Sequence, residues 1–169
     1  MTALEYGAGT GITSFLLKDH LAAITMMDNS PEMVKIMNEK ITGSGTTNLK
    51  AVFFDLEKTE WKQCTFDLIF NQMVLHHVID IDNITGSFFR LLNPGSYLAI
   101  ADLYPEDGSF HGNGFKGHKG FDPDELSAIL AEKGFTNISY RKCFEIFKNT
   151  AEHGIKQFDI FLLIAGRGN

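Results

Sequence analysis

The segment Leu4-Glu5-Tyr6-Gly7-Ala8-Gly9-Thr10-Gly11 constrains the fold more than any other part of the chain. It follows a short apolar run and places an acidic residue just before three alternating glycines. Glycines at this spacing let a strand turn sharply into a helix, and a ligand can approach their backbone because they carry no side chain. The sequence therefore predicts a strand, a tight turn and a helix that together form a ligand site.

The residues around this turn favour a cationic ligand over a phosphate. A dinucleotide-binding turn needs a third glycine where this chain has Ile12. Glu5 would repel a pyrophosphate, whereas its carboxylate suits the sulfonium and ammonium groups of S-adenosylmethionine. A nicotinamide-dependent oxidoreductase is the competing interpretation, and binding of NAD would distinguish it.

Apolar runs that alternate with helical stripes predict an α/β fold. Strands are predicted over residues 2–6, 21–27, 49–54, 66–71, 96–102, 135–144 and 157–165. Helices are predicted to begin near Ile12, Pro31, Ile81 and Pro123. Right-handed crossovers would wind such strands into a mostly parallel, doubly wound Rossmann-like sheet with helices on both faces. Residues 1–169 are expected to form one domain.

Acidic residues stand at the ends of the first three predicted strands: Glu5, Asp28 and Asp55. The carboxyl ends of parallel strands lie at one edge of a sheet, where ligands bind. Asp28 can accept hydrogen bonds from both ribose hydroxyls, because a carboxylate has two acceptor oxygens. Asp55 can accept from the amine of adenine, and neighbouring Leu56 can pack on the ring. The alternative interpretation is that Asp28 and Asp55 only cap helices or turns.

Composition argues against a nucleic-acid partner, a cysteine-based site and a membrane location. The chain has 15 Lys and Arg against 21 Asp and Glu, a net charge of −6, and no long basic run, so no nucleic-acid partner is expected. Cys64 and Cys143 match no metal or redox spacing and are expected to be reduced. The sequence shows no membrane-spanning stretch and no signal peptide, which predicts a cytoplasmic protein without a membrane partner.

Taken in order, these segments resemble the class I S-adenosylmethionine-dependent methyltransferases, most closely the small-molecule branch typified by the quinone-biosynthesis enzymes. The matching segments are Leu4-Glu5-Tyr6-Gly7-Ala8-Gly9-Thr10-Gly11, Met27-Asp28-Asn29-Ser30, Phe54-Asp55-Leu56, Phe66-Asp67-Leu68-Ile69-Phe70-Asn71, Leu75-His76-His77 and Leu92-Asn93-Pro94-Gly95. The resemblance implies a seven-stranded sheet whose last strand is antiparallel. It also implies S-adenosylmethionine as cofactor and in-line methyl transfer to a small-molecule acceptor.

The resemblance assigns cofactor-binding roles by position. They fall on Glu5, Tyr6, Gly7, Gly9, Gly11, Asp28, Asn29, Asp55, Leu56, Asn71 and Met73. Glu5 and the glycine backbone would lie along the methionine part of the cofactor. Asn71 would meet the methionine ammonium through its backbone carbonyl, and Met73 would line the pocket nearby.

His76, Asp102 and Tyr104 are the catalytic candidates. A histidine with a pKa near neutrality suits a general base, although His76 can equally be a neighbour of the cofactor or of the acceptor pocket. Asp102 and Tyr104 follow the fifth predicted strand, where the resembling family often builds its acceptor pocket. An acceptor that is already an amine or a thiolate would need no base.

The remaining histidines are expected to have structural or surface roles. His77 would pack at a helix start, and His153 would face solvent. His111 and His118 lie in the glycine-rich segment 105–120, whose length suits a loop that closes over substrate. No metal site is expected at the adjacent histidines, because no third ligand stands at metal-binding spacing.

One departure from the family pattern concerns the start of the chain. Methyltransferases of this kind usually carry helical residues before the first strand, whereas Met1 stands almost at the strand itself. Either the start of the chain is assigned too late, or another part of the protein covers the site. The hypothesis is that the pocket is more open and that a second subunit of a homodimer or the segment 105–120 covers it. The sequence leaves open a second function, a protein that binds S-adenosylmethionine without turnover and acts as a regulatory or assembly partner.

Overall fold

The computed structural model describes residues 1–150 and 154–169, in which strands and helices alternate along the chain. The strands are β1 (Thr2–Tyr6), β2 (Ala23–Asp28), β3 (Leu49–Phe53), β4 (Phe66–Gln72), β5 (Leu92–Leu103), β6 (Phe135–Thr150) and β7 (Gly154–Arg167). The α-helices are α1 (Ile12–Leu17), α2 (Pro31–Ser44), α3 (Ile81–Leu91) and α4 (Pro123–Glu132), and 3₁₀ turns cover Lys18–His20 and Leu75–His77. None of these helices is long and apolar enough to cross a lipid bilayer.

All of these strands join one sheet in the order β3-β2-β1-β4-β5-β7-β6. β1 to β5 pair in parallel, and β7 runs antiparallel to both of its neighbours. The predicted fold, with an antiparallel last strand, is therefore confirmed. The order reverses between β1 and β4, so the switch point where such sheets bind ligands lies at the carboxyl end of β1.

Helices cover both faces of the sheet. On one face, α3 and α4 bury side chains such as Phe88 and Leu130 against the larger hydrophobic core. On the other face, α1 and α2 pack around a smaller core that includes Met37. A third cluster, which contains Leu103, Phe110, Phe158 and Ile160, anchors the segment after β5 against β7. This last cluster places the segment 105–120 beside the carboxyl end of β4.

The helix starts follow the local sequence rules. The Ser30 hydroxyl accepts from the Met33 backbone N–H at 3.3 Å at the start of α2. Asp80 accepts from the Asn83 N–H at 2.9 Å at the start of α3. Asp122 caps α4 in the same way, and Pro31 and Pro123 take the first helical positions. Such polar side chains are common at helix starts because they satisfy backbone N–H groups that the helix leaves free.

The last two strands are longer than predicted. The sequence suggested strands over 135–144 and 157–165 with a polar connection between them, but Lys148 pairs with Lys156 and Thr150 pairs with Gly154. Polar side chains do not prevent pairing here, because most of this hairpin is exposed and the backbone bonds decide its length. The rest of that connection, including His153, lies outside the described residues. β5 also begins at Leu92, before the predicted start at residue 96.

Candidate functional site

A cleft of about 230 Å³ lies at the carboxyl ends of β1, β2 and β3. Its lining consists of Tyr6, Gly7, Asp28, Asn29, Phe54, Asp55, Leu56, Glu57, Val74, His77 and Val78. Tyr6, Gly7, Asp28, Asn29, Asp55 and Leu56 are among the residues that the sequence assigned to the cofactor. The sheet thus brings six of those residues to one place.

Asp28 holds the turn after β1 against the turn after β2. One carboxylate oxygen accepts from the Gly9 N–H at 2.7 Å, and the other accepts from the Ser30 N–H at 2.9 Å. Each oxygen has a second lone pair, so Asp28 can still accept hydrogen bonds from a ligand. The capping role and the cleft-lining role, which the sequence left as alternatives, therefore belong to the same side chain.

Asp55, like Asp28, both accepts a backbone hydrogen bond in a turn and lines the cleft. Its carboxylate accepts from the Glu57 N–H at 3.1 Å and pairs with Lys58 at 2.6 Å, while the residue lines the cleft. Burial raises the pKa of the Tyr6 phenol, and the carboxylates of Glu57, Asp55 and Asp28 raise it further. The phenol therefore stays protonated in a cleft whose local charge is negative. Such a cleft favours a positively charged ligand.

The three glycines of the first turn have left-handed backbone conformations, with φ of +67° at Gly7, +54° at Gly9 and +75° at Gly11. A Cβ atom at Gly7 would lie 2.4 Å from a methyl group of Val74, and one at Gly11 would lie 2.9 Å from the sulfur of Met26. A Cβ at Gly9 would have no heavy atom within 4 Å. Packing against the stiff Val74 side chain requires glycine at position 7, whereas the flexible Met26 side chain beside Gly11 can shift. Open space at Gly9 leaves the backbone there accessible to a ligand.

Glu5 lies behind this turn rather than in the cleft. Glu5 is 4% exposed, and its carboxylate accepts a short hydrogen bond from the Ser14 hydroxyl. Burial raises the pKa of Glu5, and its hydrogen bonds to Ser14 offset part of that rise. Of the three strand-end acids, Asp28 and Asp55 line the cleft, whereas Glu5 is bonded to Ser14 of α1.

The end of β4 carries two unusual residues. Asn71 is 2% exposed, and among the described residues neither its side-chain nitrogen nor its side-chain oxygen has a hydrogen-bond partner. Buried polar groups rarely lack a partner unless a ligand or water supplies it. Met73 has a φ of +56°, a conformation that is costly for a residue with a side chain and is concentrated at functional sites. Its side chain packs in the cluster around Phe110 rather than in the cleft.

His76 and Asp102, two of the catalytic candidates, form a buried pair. The His76 Nδ1 lies 2.6 Å from one Asp102 oxygen, and the His76 backbone N–H donates to the other at 3.2 Å. The two side chains are 1% and 0% exposed. Asp102 also accepts from the Leu103 N–H at 2.7 Å, so its position is fixed on three sides. Neither residue of this pair reaches solvent.

The exposed His111 contacts His76 and so extends the buried pair to the surface. Its Nε2 lies 2.9 Å from the His76 Nε2, and its ring stacks on Phe115 with 4.0 Å between centroids. The exposed ring of His77 lies 4.9 Å from His111 and also lines the cleft. Partial burial lowers the pKa of both His77 and His111, and the neighbouring His76 lowers it further, so both rings are neutral at neutral pH.

Sequence reasoning did not pair His111 with His76, since 35 positions separate them. The available signal was that both histidines follow predicted parallel strands at the same sheet edge. The His118 N–H donates to the His76 carbonyl at 2.8 Å, which ties the segment 105–120 to the turn after β4. Tyr104 packs instead on Phe161 at 5.4 Å and lines a different hollow.

The profile of a family described as a methyltransferase domain matches residues 4–100. This chain belongs to that family. The predicted resemblance to class I S-adenosylmethionine-dependent methyltransferases is thereby confirmed, and the matched residues include every residue assigned to the cofactor.

Named relatives agree with this assignment. An uncharacterized methyltransferase of Schizosaccharomyces pombe is 28% identical over 160 residues, which cover 89% of this chain and 53% of that protein. The ubiquinone/menaquinone biosynthesis C-methyltransferase UbiE of Escherichia coli is 24% identical over 170 residues, with 82% of this chain and 68% of that protein covered. The chain thus spans about half the length of the yeast relative.

A solved structure shares the fold. Phosphoethanolamine N-methyltransferase 2 of Haemonchus contortus, solved in complex with S-adenosyl-L-methionine, superposes with a TM-score of 0.80 at 14% identity. The match covers all of this chain and 49% of that one. At this level of identity the similarity concerns the fold.

Proposed function

We propose that this chain binds S-adenosylmethionine in the acid-lined cleft and directs its methyl group to a small-molecule acceptor. The observation that carries the proposal is the cleft itself, where Asp28 and Asp55 face a common space beside a glycine turn with open backbone. The family and the fold support it independently. When bound, the cofactor supplies an electrophilic methyl group on a sulfonium.

The residues present fit the parts of this cofactor. Asp28 has free lone pairs for the ribose hydroxyls, and Asp55 with Leu56 suits adenine. The unpartnered, buried Asn71 lies at the end of β4, where the resemblance puts the methionine ammonium. The Glu5 carboxylate lies behind the turn, on the side where the resemblance puts the positively charged methionine part of the cofactor. An ammonium group there would donate to the Asn71 side-chain oxygen, which otherwise lacks a partner.

We assign the acceptor side to the histidines grouped around His77, which lines the cleft. Asp102 and His76 are buried, so we assign them the role of positioning residues. His77 and His111 are exposed, and they are the histidines that an acceptor can contact. Tyr104 lines a separate hollow, so we assign it no role in binding the acceptor. Holding an acceptor against the methyl group can contribute roughly 7–11 kcal/mol to catalysis.

The wider context stays a proposal as well. UbiE is named as a C-methyltransferase of quinone biosynthesis, which supports a small organic acceptor for this chain. The single sheet supports one domain over residues 1–169. A cytoplasmic location, a homodimer and the absence of a nucleic-acid partner are predictions from composition and from the resemblance.

Titration calorimetry with S-adenosylmethionine tests the cleft. Asp55→Ala should weaken binding by about 10–100-fold, since a hydrogen bond to a charged group contributes about 1.5–3 kcal/mol. Asp19→Ala is the matched control, because Asp19 is an exposed acid outside the cleft and should leave binding unchanged. No binding by the unaltered chain at millimolar cofactor, or binding of NAD in its place, would overturn the proposal.

Incubation with methyl-labelled cofactor and pooled small molecules of a cell extract tests turnover. Label transferred to a small molecule supports the enzyme. Tight binding without any transfer would instead support the second function that the sequence left open, a binding protein without turnover.

A further inference from the structure

We propose that His76, His77 and His111 form a binding site for a divalent transition-metal ion of the zinc type. One ligand nitrogen from each ring lies within 4.8 Å of the other two. The sequence argued against a metal site because the adjacent histidines lacked a third ligand. The fold supplies that ligand from the segment 105–120, which the packing of Phe110 against Phe158 holds beside them.

The spacing of the nitrogens is close to what a metal ion requires. Zinc binds imidazole nitrogen at 2.0–2.1 Å, so two ligands of a tetrahedral ion are roughly 3.4 Å apart. The Nε2 atoms of His76 and His111 are now 2.9 Å apart, and a small outward rotation of the exposed His111 ring would open that distance. The ring of His77 is also exposed, and its centroid lies 4.2 Å from that of His76 and 4.9 Å from that of His111.

Asp102 prepares His76 for this role. A carboxylate can only accept, so the proton of the neutral ring is on Nδ1, which lies 2.6 Å from Asp102. The Nε2 lone pair then faces His111 and is free to coordinate. Histidine ligands almost always donate their other N–H to a carboxylate or carbonyl, which fixes the ring and strengthens the ligand. The buried carboxylate would also balance part of the charge of the ion.

The set of ligands indicates the type of site. Three histidines with a fourth position open are typical of a catalytic zinc site, whereas structural sites use four protein ligands and often cysteine. Imidazole ligands suit zinc, copper, iron and nickel better than magnesium or calcium. Phe110 and Phe115 surround the rings of His76 and His111, so an ion here would be partly shielded from water.

The location of the three histidines connects the ion to the cofactor cleft. His77 lines the cofactor cleft, so an ion at the three histidines would stand at its acceptor end. If the proposed function holds, the open position can take an oxygen or nitrogen of the acceptor and lower its pKa, as bound metals do for water. Metal binding itself does not depend on that function.

The competing explanation is a cluster held only by hydrogen bonds, in which the His111 Nε2–H donates to the His76 Nε2. This arrangement needs no ion. It predicts that neither zinc nor cobalt binds more tightly to the unaltered chain than to a chain without one of these rings.

Calorimetric titration of the chelator-treated chain with Zn²⁺, after removal of any polyhistidine tag, separates the two explanations. We expect one equivalent to bind, and Co²⁺ to give visible absorption bands in the same place. His77→Asn and His111→Asn should each weaken binding by more than about 100-fold, and Asp102→Asn by about 10–100-fold. His118→Asn is the control, because that ring lies in the same segment but packs on Phe121 and should leave binding unchanged.

Equal affinity of the unaltered chain and the His111→Asn variant would overturn the proposal. Both exposed variants are expected to fold, and urea unfolding followed by the fluorescence of Trp61 verifies this independently of cofactor binding. A chain that binds the cofactor but not zinc refutes only the metal site. A chain that binds zinc but not the cofactor refutes only the proposed function.

Discussion

Gly7→Ala tests whether packing, as well as backbone conformation, fixes the turn after β1. The added Cβ would lie 2.4 Å and 2.7 Å from the two methyl carbons of Val74 and 3.1 Å from its Cβ. A left-handed conformation costs a residue with a side chain about 1–2 kcal/mol. Overpacking of a core typically costs a further 1–3 kcal/mol, approximately. We therefore expect a loss of about 2–5 kcal/mol in the free energy of unfolding.

Gly9→Ala is the matched control. Gly9 has a similar φ of +54°, but an added Cβ would meet no heavy atom within 4 Å. Only the conformational cost of about 1–2 kcal/mol applies. For the affinity for S-adenosylmethionine we expect the opposite ranking, with Gly9→Ala the more damaging variant. Its new methyl group would occupy the open space that we assign to the ligand. Gly9→Ala should therefore lose affinity while it keeps most of its stability.

Urea unfolding followed by the fluorescence of Trp61, the only tryptophan, measures these differences. A double-mutant cycle with Val74→Ala isolates the clash, since the smaller side chain removes both methyl carbons. Gly7→Ala should then be less destabilising in the Val74→Ala background than in the unaltered chain. Equal losses for Gly7→Ala and Gly9→Ala, or no recovery in the double variant, would refute the packing argument.

Three further predictions concern single side chains. Burial raises the Glu5 pKa above its ordinary value of 4.5, so the folded protein loses stability as the pH rises from 4.5 through the raised value. Glu5→Gln should therefore increase the free energy of unfolding at pH 7 but not at pH 4, and an equal gain at both would contradict this cause. Ser30→Ala removes the N-cap of α2 and should cost about 1 kcal/mol in urea unfolding, whereas no loss would show that the cap is dispensable. In Asp102→Asn an amide NH2 replaces one accepting oxygen, so a buried N–H that donates to Asp102 loses its acceptor. This should lower the free energy of unfolding by about 1–3 kcal/mol, and unchanged stability would argue against the buried pair.

Much of the fold followed from local features of the sequence. The helix caps at Ser30, Asp80 and Asp122 depend on residues within three positions, so they can be recognised without the tertiary structure. Strand-end acids were predicted to meet because parallel strands all end at one edge. Asp28 and Asp55 line the cleft for this reason.

The sequence by itself determined the order of strands and helices, the glycine turn and the acids beside it, because each rests on the chain's local periodicity and backbone chemistry. The tertiary structure alone decided which side chains meet across the site. Glu5 turned toward Ser14, Tyr104 packed on Phe161, and His111 came against His76. The last two contacts depend on how the segment after β5 packs on β7, and no spacing along the chain encodes that packing.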